Sequence, residues 1–576
     1  MPEKIIETKQ CKRCWTSFTI TDKDRESLDK ISPVFAWKKI QIPSPTWCPQ
    51  CRQQRRFAFR NERKLYRRKC DATGEDIISI YSPDYPGKVY NHSSRRSDSR
   101  DGMDYGRDFD FSKPFFQQMN ELMLEVPMVN LRNWESENSS YTHCCYQNKN
   151  CYMLFNTDHS EDSFHSYLSD NLQHCIDCTF TFGAQQSYEC IDCRTVYQCF
   201  FSQRCKNCND CHFCLDCEQC QYCFGCVNLR NQHHCFFNEQ LSPEDYQKKI
   251  QELWTRDAQK IQEIKEKLQQ FSLTQPTLAA HILNAEQCSG DFVYNSKHTT
   301  DAFDCFDALE DCKHVVYGEK DKNVMDAYAF IDVQNCYEVM SGVDMYNSKF
   351  MLWINHGPND SLYCVLCVNN CDNLFGCVGL KNKHYCIFNK QYTKDEYEAL
   401  VPKIIEHMKK TWERGEYFPI AISPFAYNET IAQEYFPLTK EQVLSQWWKW
   451  KDEDDRNFQS SVYVPLSIEQ YDEKVVWDEL ANKNKDDLIN SVLKCEVTGR
   501  PYKIIKPELA FYIKRHLPLP LKHPDQRHIE RMHKRNPRKL WERNCAKCWI
   551  SLATSYSPQR PEIVYCEQCY NKEVYW

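Results

Sequence analysis

His174-Cys-Ile-Asp-Cys178, Glu189-Cys-Ile-Asp-Cys193, Arg204-Cys-Lys-Asn-Cys208 and Gln219-Cys-Gln-Tyr-Cys223 are four versions of one short word. They lie within Cys175 to Cys235, which packs fourteen cysteines into sixty-one residues. Cys175, Cys190, Cys205, Cys220 and Cys235 recur every fifteen residues, and Cys178, Cys193, Cys208 and Cys223 form a second column. A short fixed period marks a solenoid, whose repeats bury their inner faces only against their neighbours. Fifteen residues is too short for a pair of helices and fits one turn of a narrow parallel β-solenoid. Residues one period apart would then stack about 4.8 Å apart, turning each column into a ladder of thiols. Tyr152, Tyr167, Phe182 and Tyr197 keep the same period, so the register is expected to begin before the cysteines become dense.

The phrase that closes this stretch, Phe224-Gly-Cys-Val-Asn-Leu-Arg-Asn, returns as Phe375-Gly-Cys-Val-Gly-Leu-Lys-Asn, 151 residues later. Each is followed by a helix start. Ser242-Pro-Glu-Asp offers an N-cap with proline at the first helical position, and Thr393-Lys-Asp-Glu396 is a capping box. The middle of the chain therefore reads as two tandem cysteine-rich solenoids, each closed by a helix. The second copy keeps fewer cysteines, among them Cys336, Cys364, Cys367, Cys371, Cys377 and Cys386. Loss of half the thiols is easy if cysteine serves as a small interior residue, and surprising if the ladder is an essential metal array.

Both ends carry paired Cys-x-x-Cys knuckles: Cys11, Cys14, Cys48 and Cys51, then Cys545, Cys548, Cys566 and Cys569. Four thiolates close a tetrahedral structural zinc site. Two zinc ribbons are expected, the first with an inserted segment. Two echoes lack the full set. Cys70-Asp-Ala-Thr-Gly with Tyr81-Ser-Pro-Asp-Tyr-Pro-Gly-Lys-Val-Tyr90 aligns with the C-terminal ribbon but places Thr73, Asn91 and Ser94 at the other ligand positions. Cys495-Glu-Val-Thr-Gly repeats its opening. Neither is expected to bind metal.

A basic segment adjoins each zinc site. Nine of the eighteen residues Arg52 to Lys69 are Lys or Arg, with Arg52, Arg56, Arg60, Arg63 and Arg67 at helical spacing. Lys514 to Arg543 holds ten Lys or Arg against three acids, including Arg527, Arg531, Lys534, Arg535 and Arg538. One reading is a solvated face or a face docked on acidic neighbours; the other is phosphate contact with RNA, DNA or a ribonucleoprotein. The tryptophan-rich run Trp447-Trp-Lys-Trp reads as core or docking residues rather than a stacking platform.

The bulk numbers fit a large reducing-compartment protein. The 576-residue chain holds 36 cysteines, 73 Lys and Arg, and 80 Asp and Glu. It opens on no apolar signal segment and has no apolar run long enough for a bilayer, so a cytoplasmic location without membrane contact is expected. Glycine is scarce, and the common nucleotide-binding and zinc-hydrolase signatures are missing.

The zinc knuckle followed by Phe59-Arg-Asn-Glu-Arg-Lys-Leu-Tyr66, the Phe-Gly-Cys-Val phrases, His523-Pro-Asp-Gln-Arg-His528 and Asn536-Pro-Arg-Lys-Leu-Trp-Glu-Arg-Asn-Cys-Ala-Lys-Cys548 together carry a resemblance. The chain resembles the large zinc-ribbon, cysteine-rich repeat proteins of candidate-phyla bacteria. In that family the position of residues 70–94 often holds a full set of ribbon cysteines, from which this sequence departs. The resemblance implies organisation, not activity.

The expected order is a zinc-knuckle domain with a basic helix (1–69), a metal-free ribbon (70–94), and a linker with a short helix (95–139). Two solenoids with closing helices follow (140–271 and 272–415). A helical, acidic, tryptophan-rich region (416–490) then leads to the basic segment and zinc ribbon (491–576). The favoured function is a non-enzymatic zinc scaffold that binds nucleic acid through its basic segments, with a protein partner on the solenoid face as a further expectation. The alternative is a metal-handling or redox protein using the ladder, with Cys208, Cys211, Cys214 and Cys217 its densest part. An enzyme pairing one activated cysteine with His233 or His234 is the third reading.

Overall fold

A computed structural model describes residues 3–96, 101–254, 257–307, 309–318, 322–331, 336–343, 345–354, 356–452 and 485–575. Between about residues 137 and 238 the chain pairs with itself in parallel at a constant offset of twelve. Phe155 lies beside Tyr167, Arg194 beside Lys206, Cys211 beside Cys223, and Cys223 beside Cys235. The expected fifteen-residue coil is thus corrected to twelve. The unit beneath both numbers is a triplet. Every third residue from Glu135 to Phe237 has positive φ, and the residue after it, the exposed Gln232 excepted, points inward. Cys175, Cys178, Thr181, Ala184, Ser187, Cys190 and Cys193 are successive inward residues, all fully buried.

This backbone explains the composition. In each triplet two amides find carbonyls on neighbouring windings: Ile176 N–H donates to Ser187 O, and Asp177 N–H to Phe164 O, both at 3.1 Å. The third amide points inward. Cys178 N–H donates to Ser166 Oγ at 3.1 Å, while that hydroxyl donates to Phe164 O at 3.2 Å. A buried N–H without a partner costs about 1–3 kcal/mol. The inward position therefore favours a small side chain that both donates and accepts, which serine, threonine and cysteine supply. Cys205 Sγ donates to Gln203 O and Cys214 O at 3.6 and 3.5 Å, and Cys226 Sγ accepts from Asn238 N–H at 3.5 Å.

A second parallel ladder occupies residues 282–387, with offsets of eleven to thirteen, as in Ile282 beside Val293, Met325 beside Tyr337, and Lys349 beside Leu362. Its interior mixes cysteine with Val293, Val315, Val339, Met351 and Leu374. Bulkier apolar residues in place of donors go with the less regular register.

The two ladders end alike. A parallel strand (His233–Phe236; His384–Ile387) turns into an antiparallel one (Glu239–Gln240; Lys390–Gln391). At that turn Asn238 brackets Val227 with hydrogen bonds to its N–H and C=O, and Asn389 brackets Val378 in the same way, at 2.8–2.9 Å. Helices follow at the expected caps. The first continuation is two helices, Pro243–Leu253 and Ala258–Ser272, rather than one long helix; the second is Lys394–Lys410. The ladders touch through Phe182 and Phe306, whose rings lie 4.8 Å apart. The largest core joins the second ladder to the helices Pro49–Phe57 and Phe115–Glu125 and to residues 417–448. Most of the acidic region expected after Trp447, residues 453–484, lies outside the described residues.

Candidate metal centres

Four segments share one backbone plan. A cysteine N–H donates to the carbonyl five residues on, in Cys11–Thr16, Cys70–Glu75, Cys495–Arg500 and Cys545–Ile550, at 2.8–3.0 Å. Its own carbonyl accepts from the residue four on: Trp15, Gly74, Gly499 and Trp549. The next N–H reaches across to a carbonyl shortly before a helix, in Lys12–Thr46, Asp71–Val89, Glu496–Leu521 and Ala546–Val564. The helices are Pro49–Phe57, His92–Arg96, Pro524–His533 and Glu567–Val574. The second Cys-x-x-Cys pair of each terminal site therefore sits at a helix N-terminus, not on a second hairpin knuckle as a ribbon would have it. The sequence alone aligns the segment at Cys70 with that at Cys545 and shows the ligand set at Cys11, but not that the latter is a further copy. It shows only the opening of the copy at Cys495, because that copy's helix half, His523 and Gln526, holds no cysteine.

In two copies all four ligand positions hold thiols. The groups Cys11, Cys14, Cys48, Cys51 and Cys545, Cys548, Cys566, Cys569 each bring their sulfurs within 4.8 Å of one another. Cys14 and Cys48 Sγ lie 3.6 Å apart, and Cys548 and Cys566 Sγ 3.7 Å apart. A tetrahedral ion with metal–sulfur bonds of about 2.3 Å requires sulfurs roughly 3.8 Å apart. The spacing fits a shared metal. Burial opposes ionisation of Cys545, but the amides of Cys566, Cys548 and Lys547 outweigh it and bring its pKa down to about 6. With four protein ligands the coordination closes, which is the structural rather than the catalytic pattern.

The other two copies replace the ligand set with hydrogen bonds. Asn91 N–H donates to Cys70 Sγ at 3.3 Å, as Cys566 N–H does to Cys545 Sγ. Thr73 Oγ1 and Asn91 Nδ2 both donate to Glu75, at 3.1 and 3.2 Å. In the copy at Cys495, His523 Nδ1 accepts the Asp525 N–H at 3.0 Å and caps its helix.

The ladder thiols behave differently. Among the described residues, no group of three or more potential ligands in the ladders comes within 4.8 Å. Burial pushes Cys145 and Cys305 well above the ordinary thiol range and Cys151 up to about 11, whereas hydrogen bonds from neighbouring thiols, Cys175 and Cys214 foremost, bring Cys178 and Cys226 down to about 5. Cys208, Cys211, Cys214 and Cys217 are fully buried, each bonded to carbonyls of its own and the next winding. His233 is exposed, and His234 stacks on Tyr222 at 5.2 Å.

The basic residues are largely spent inside the molecule. Arg52 donates to Asp326 at 2.7 Å, and Arg56 faces Asp326 at 3.5 Å and Glu338 at 4.0 Å. Arg60 pairs with Glu62 at 2.6 Å and Arg63 with Asp525 at 3.4 Å. At the other end Arg527 and Arg531 converge on Asp177, and Arg538 bonds Asp304 at 2.8 Å. Arg535 spans both ladders, reaching Asp192 at 2.8 Å and Asp304 at 2.6 Å. Asp177, Asp192, Asp304, Asp326 and Glu338 all occupy positive-φ corners, and all are buried or nearly so. Burial alone would discharge Arg527, but Asp177 and its neighbours hold it above the usual arginine range. The expected phosphate-facing arms are corrected accordingly: this is the docked-on-acid reading. Of the ten candidate contact residues, only Arg67, bonded to Tyr141 Oη at 2.9 Å, and Lys534 are exposed.

No family model and no curated relative matches the chain. One solved structure is similar over 50% of this chain and 82% of its own, at 9% identity and a TM-score of 0.10: a "putative acetyltransferase" from Desulfovibrio desulfuricans G20. A likeness that slight carries no argument. The resemblance to candidate-phyla proteins thus gains no support beyond the two four-cysteine groups. No helix among the described residues is long and apolar enough to cross a membrane.

Proposed function

We propose that the protein is a non-enzymatic scaffold: two tandem, narrow, four-sided solenoids clamped together by modules that two structural zinc ions hold in shape. The observation that carries this reading is Arg535, which ties an acidic corner of the first ladder to one of the second from a single buried side chain. Glu62 makes a matching bridge from the N-terminal side, accepting from Tyr167 Oη at 2.6 Å and Tyr328 Oη at 3.1 Å. The first metal would fix the start of the helix Pro49–Phe57, whose arginines engage the second ladder. The second would fix the module whose strand Ile563–Tyr565 pairs with Pro276–Leu278, the link between the ladders. Zinc suits both sites because four thiolates favour a soft, four-coordinate ion. The ladder cysteines serve as donor–acceptor packing residues, which requires reduced thiols and hence a reducing compartment such as the cytoplasm.

The test is Cys545→Ser. It should remove one zinc per chain and increase hydrogen exchange in residues 276–278 and 563–565 while leaving the first ladder protected. Retention of both ions, or unchanged exchange at that strand pair, would contradict the clamp.

A further inference from the structure

Outside the two ladders and their closing turns, seven described non-glycine residues have positive φ: Trp15, Ala36, Trp37, Trp412, Trp447, His516 and Trp549. Five of the seven are tryptophans. Those five are also the exposed tryptophans of the described chain, at 72, 99, 84, 90 and 75% exposure in the order Trp15, Trp37, Trp412, Trp447, Trp549. A bulky side chain in this region is a genuine outlier, because its Cβ crowds the following carbonyl.

Each of the five stands where glycine is the expected residue. Trp15 and Trp549 occupy the knuckle position that the two metal-free copies give to Gly74 and Gly499, at φ of 76° and 69°. Trp37 ends a two-residue hairpin turn between Val34–Phe35 and Lys38–Lys39, with positive φ at both turn residues, where Asn-Gly is preferred. Trp412 and Trp447 follow helix ends, and the next amides reach back to close the turn, in Glu413–Met408 at 2.8 Å and Trp448–Val443 at 3.3 Å. That is the glycine position of a helix C-cap. Neither backbone economy nor burial accounts for a tryptophan there. Strain of this kind is evidence to be explained by function.

The surroundings select the partner. Nine Lys or Arg stand within three residues of these rings, Lys12, Arg13, Lys38 and Lys410 among them, in a chain whose net charge is −7; three of the nine, Lys39, Lys409 and Lys547, pair with Asp29, Glu406 and Glu573. The one acid in any of those windows is Glu413, whose carboxylate is occupied by the amides of Phe115 and Phe116 at 2.8 Å. Lys12 lies 5.9 Å over the Trp412 ring, and Arg13 lies 4.5 Å from the Trp448 ring beside Trp447. So the first metal knuckle is set among three of the five tips. Exposed aromatic faces flanked by cations are the equipment for stacking unpaired bases while neutralising their phosphates.

We propose that Trp15, Trp37, Trp412, Trp447 and Trp549 are stacking tips for single-stranded nucleic acid. The Trp447 ring, expected from sequence to be core or docking, is thereby assigned to the surface platform, while Trp448 takes the core role, stacked on Tyr427 at 5.4 Å.

The test uses the zinc-loaded full chain with a labelled oligouridylate of about 20 nucleotides at about 50 mM salt. Saturable binding with tryptophan quenching is expected, weakening steeply as salt rises. The triple variant Trp15→Gly, Trp412→Gly, Trp447→Gly should bind at least about tenfold more weakly. Its zinc content should stay unchanged and its unfolding midpoint unchanged or higher, since glycine relieves the backbone. The corresponding phenylalanine triple should keep most of the affinity. The proposal is overturned if the wild-type chain does not bind the oligomer saturably, if the glycine triple binds as well as wild type, or if the phenylalanine triple loses as much as the glycine one. Binding to vesicles with about 30% anionic lipid but not to the oligomer would also overturn it, and would assign the tips to a membrane surface instead.

Discussion

Asp177→Asn removes one negative charge from the centre of the C-terminal arginine seam and leaves almost everything else in place. Asparagine matches aspartate in size and tolerates the left-handed backbone, φ 57°, that residue 177 adopts. Asp177 is fully buried and accepts from both Arg527 and Arg531, the latter at 2.7 Å. Arg527 would keep Glu508 at 3.3 Å, but Arg531 would keep only neutral partners, Thr179 Oγ1 at 3.0 Å and His165 O at 3.1 Å. Breaking a buried pair costs about 3–5 kcal/mol because the surviving charge stays buried. With Glu508 still in place the lower end applies, about 3 kcal/mol, or roughly a hundredfold in an opening equilibrium. Hydrogen exchange over Pro524–His533 reads that equilibrium directly. The helix should open about a hundredfold more often in Asp177→Asn, and Asp177→Asn with Arg531→Met should recover part of the loss. As a control, Lys23→Ala at the exposed pair with Glu26, 62% and 51% accessible, should leave that exchange unchanged. An Asp177→Asn helix exchanging within about fivefold of wild type would refute the view that these arginines hold the ladders together.

Further outcomes follow from the same geometry. Ser166→Ala orphans the Cys178 amide and should cost about 1–3 kcal/mol, whereas Ser166→Cys should cost less than about 1; urea unfolding decides, and a better-tolerated alanine would contradict the donor–acceptor reading. His281 is held up to about 9; burial opposes its charge, but Asp291 at 3.0 Å and then Asp216 outweigh it. A raised pKa stabilises fully below the unfolded value of about 6.5, so stability should fall by up to roughly 3 kcal/mol between pH 6.5 and 9, and His281→Gln should flatten that slope. His528 is pushed down to about 4, first by burial and then by Arg63, so protonation should favour unfolding as pH drops from about 6.5 toward 4. Stability should therefore peak near pH 6.5, and a monotonic profile across pH 4–9 would contradict these assignments.

The parts of the fold that sequence revealed are those where residue type and spacing carry one meaning. The four-cysteine sets, the failed set at Cys70, the paired closing phrases and their helix caps all belong to that class. The winding length does not. Fifteen and twelve are both multiples of the triplet, and the true neighbour of Cys175 in the next winding is Ser187, while Cys190 lies five triplets away. Counting cysteines alone hid the serines and threonines that share their role. The arginine seams were illegible for another reason. Asp177, Asp192, Asp304, Asp326 and Glu338 are scattered through the repeats as ordinary acids, and only the winding brings them to corners facing Arg527, Arg535 and Arg52. The tryptophan tips needed backbone angles: the alignment of Cys70–Gly74 with Cys545–Trp549 sets a glycine against a tryptophan, but only φ shows that both take the same left-handed turn.

The most direct test of the whole account is the metal content of the anaerobically purified chain, measured by elemental mass spectrometry together with titration of free thiols. Eight of the 36 cysteines form the two clusters, so two zinc ions should be found with no stoichiometric iron or copper, and the other twenty-eight should titrate as thiols after unfolding in a chelator-free buffer. A third equivalent of zinc, or any stoichiometric iron or copper, would place metal on the ladder and contradict its assignment as a packing device.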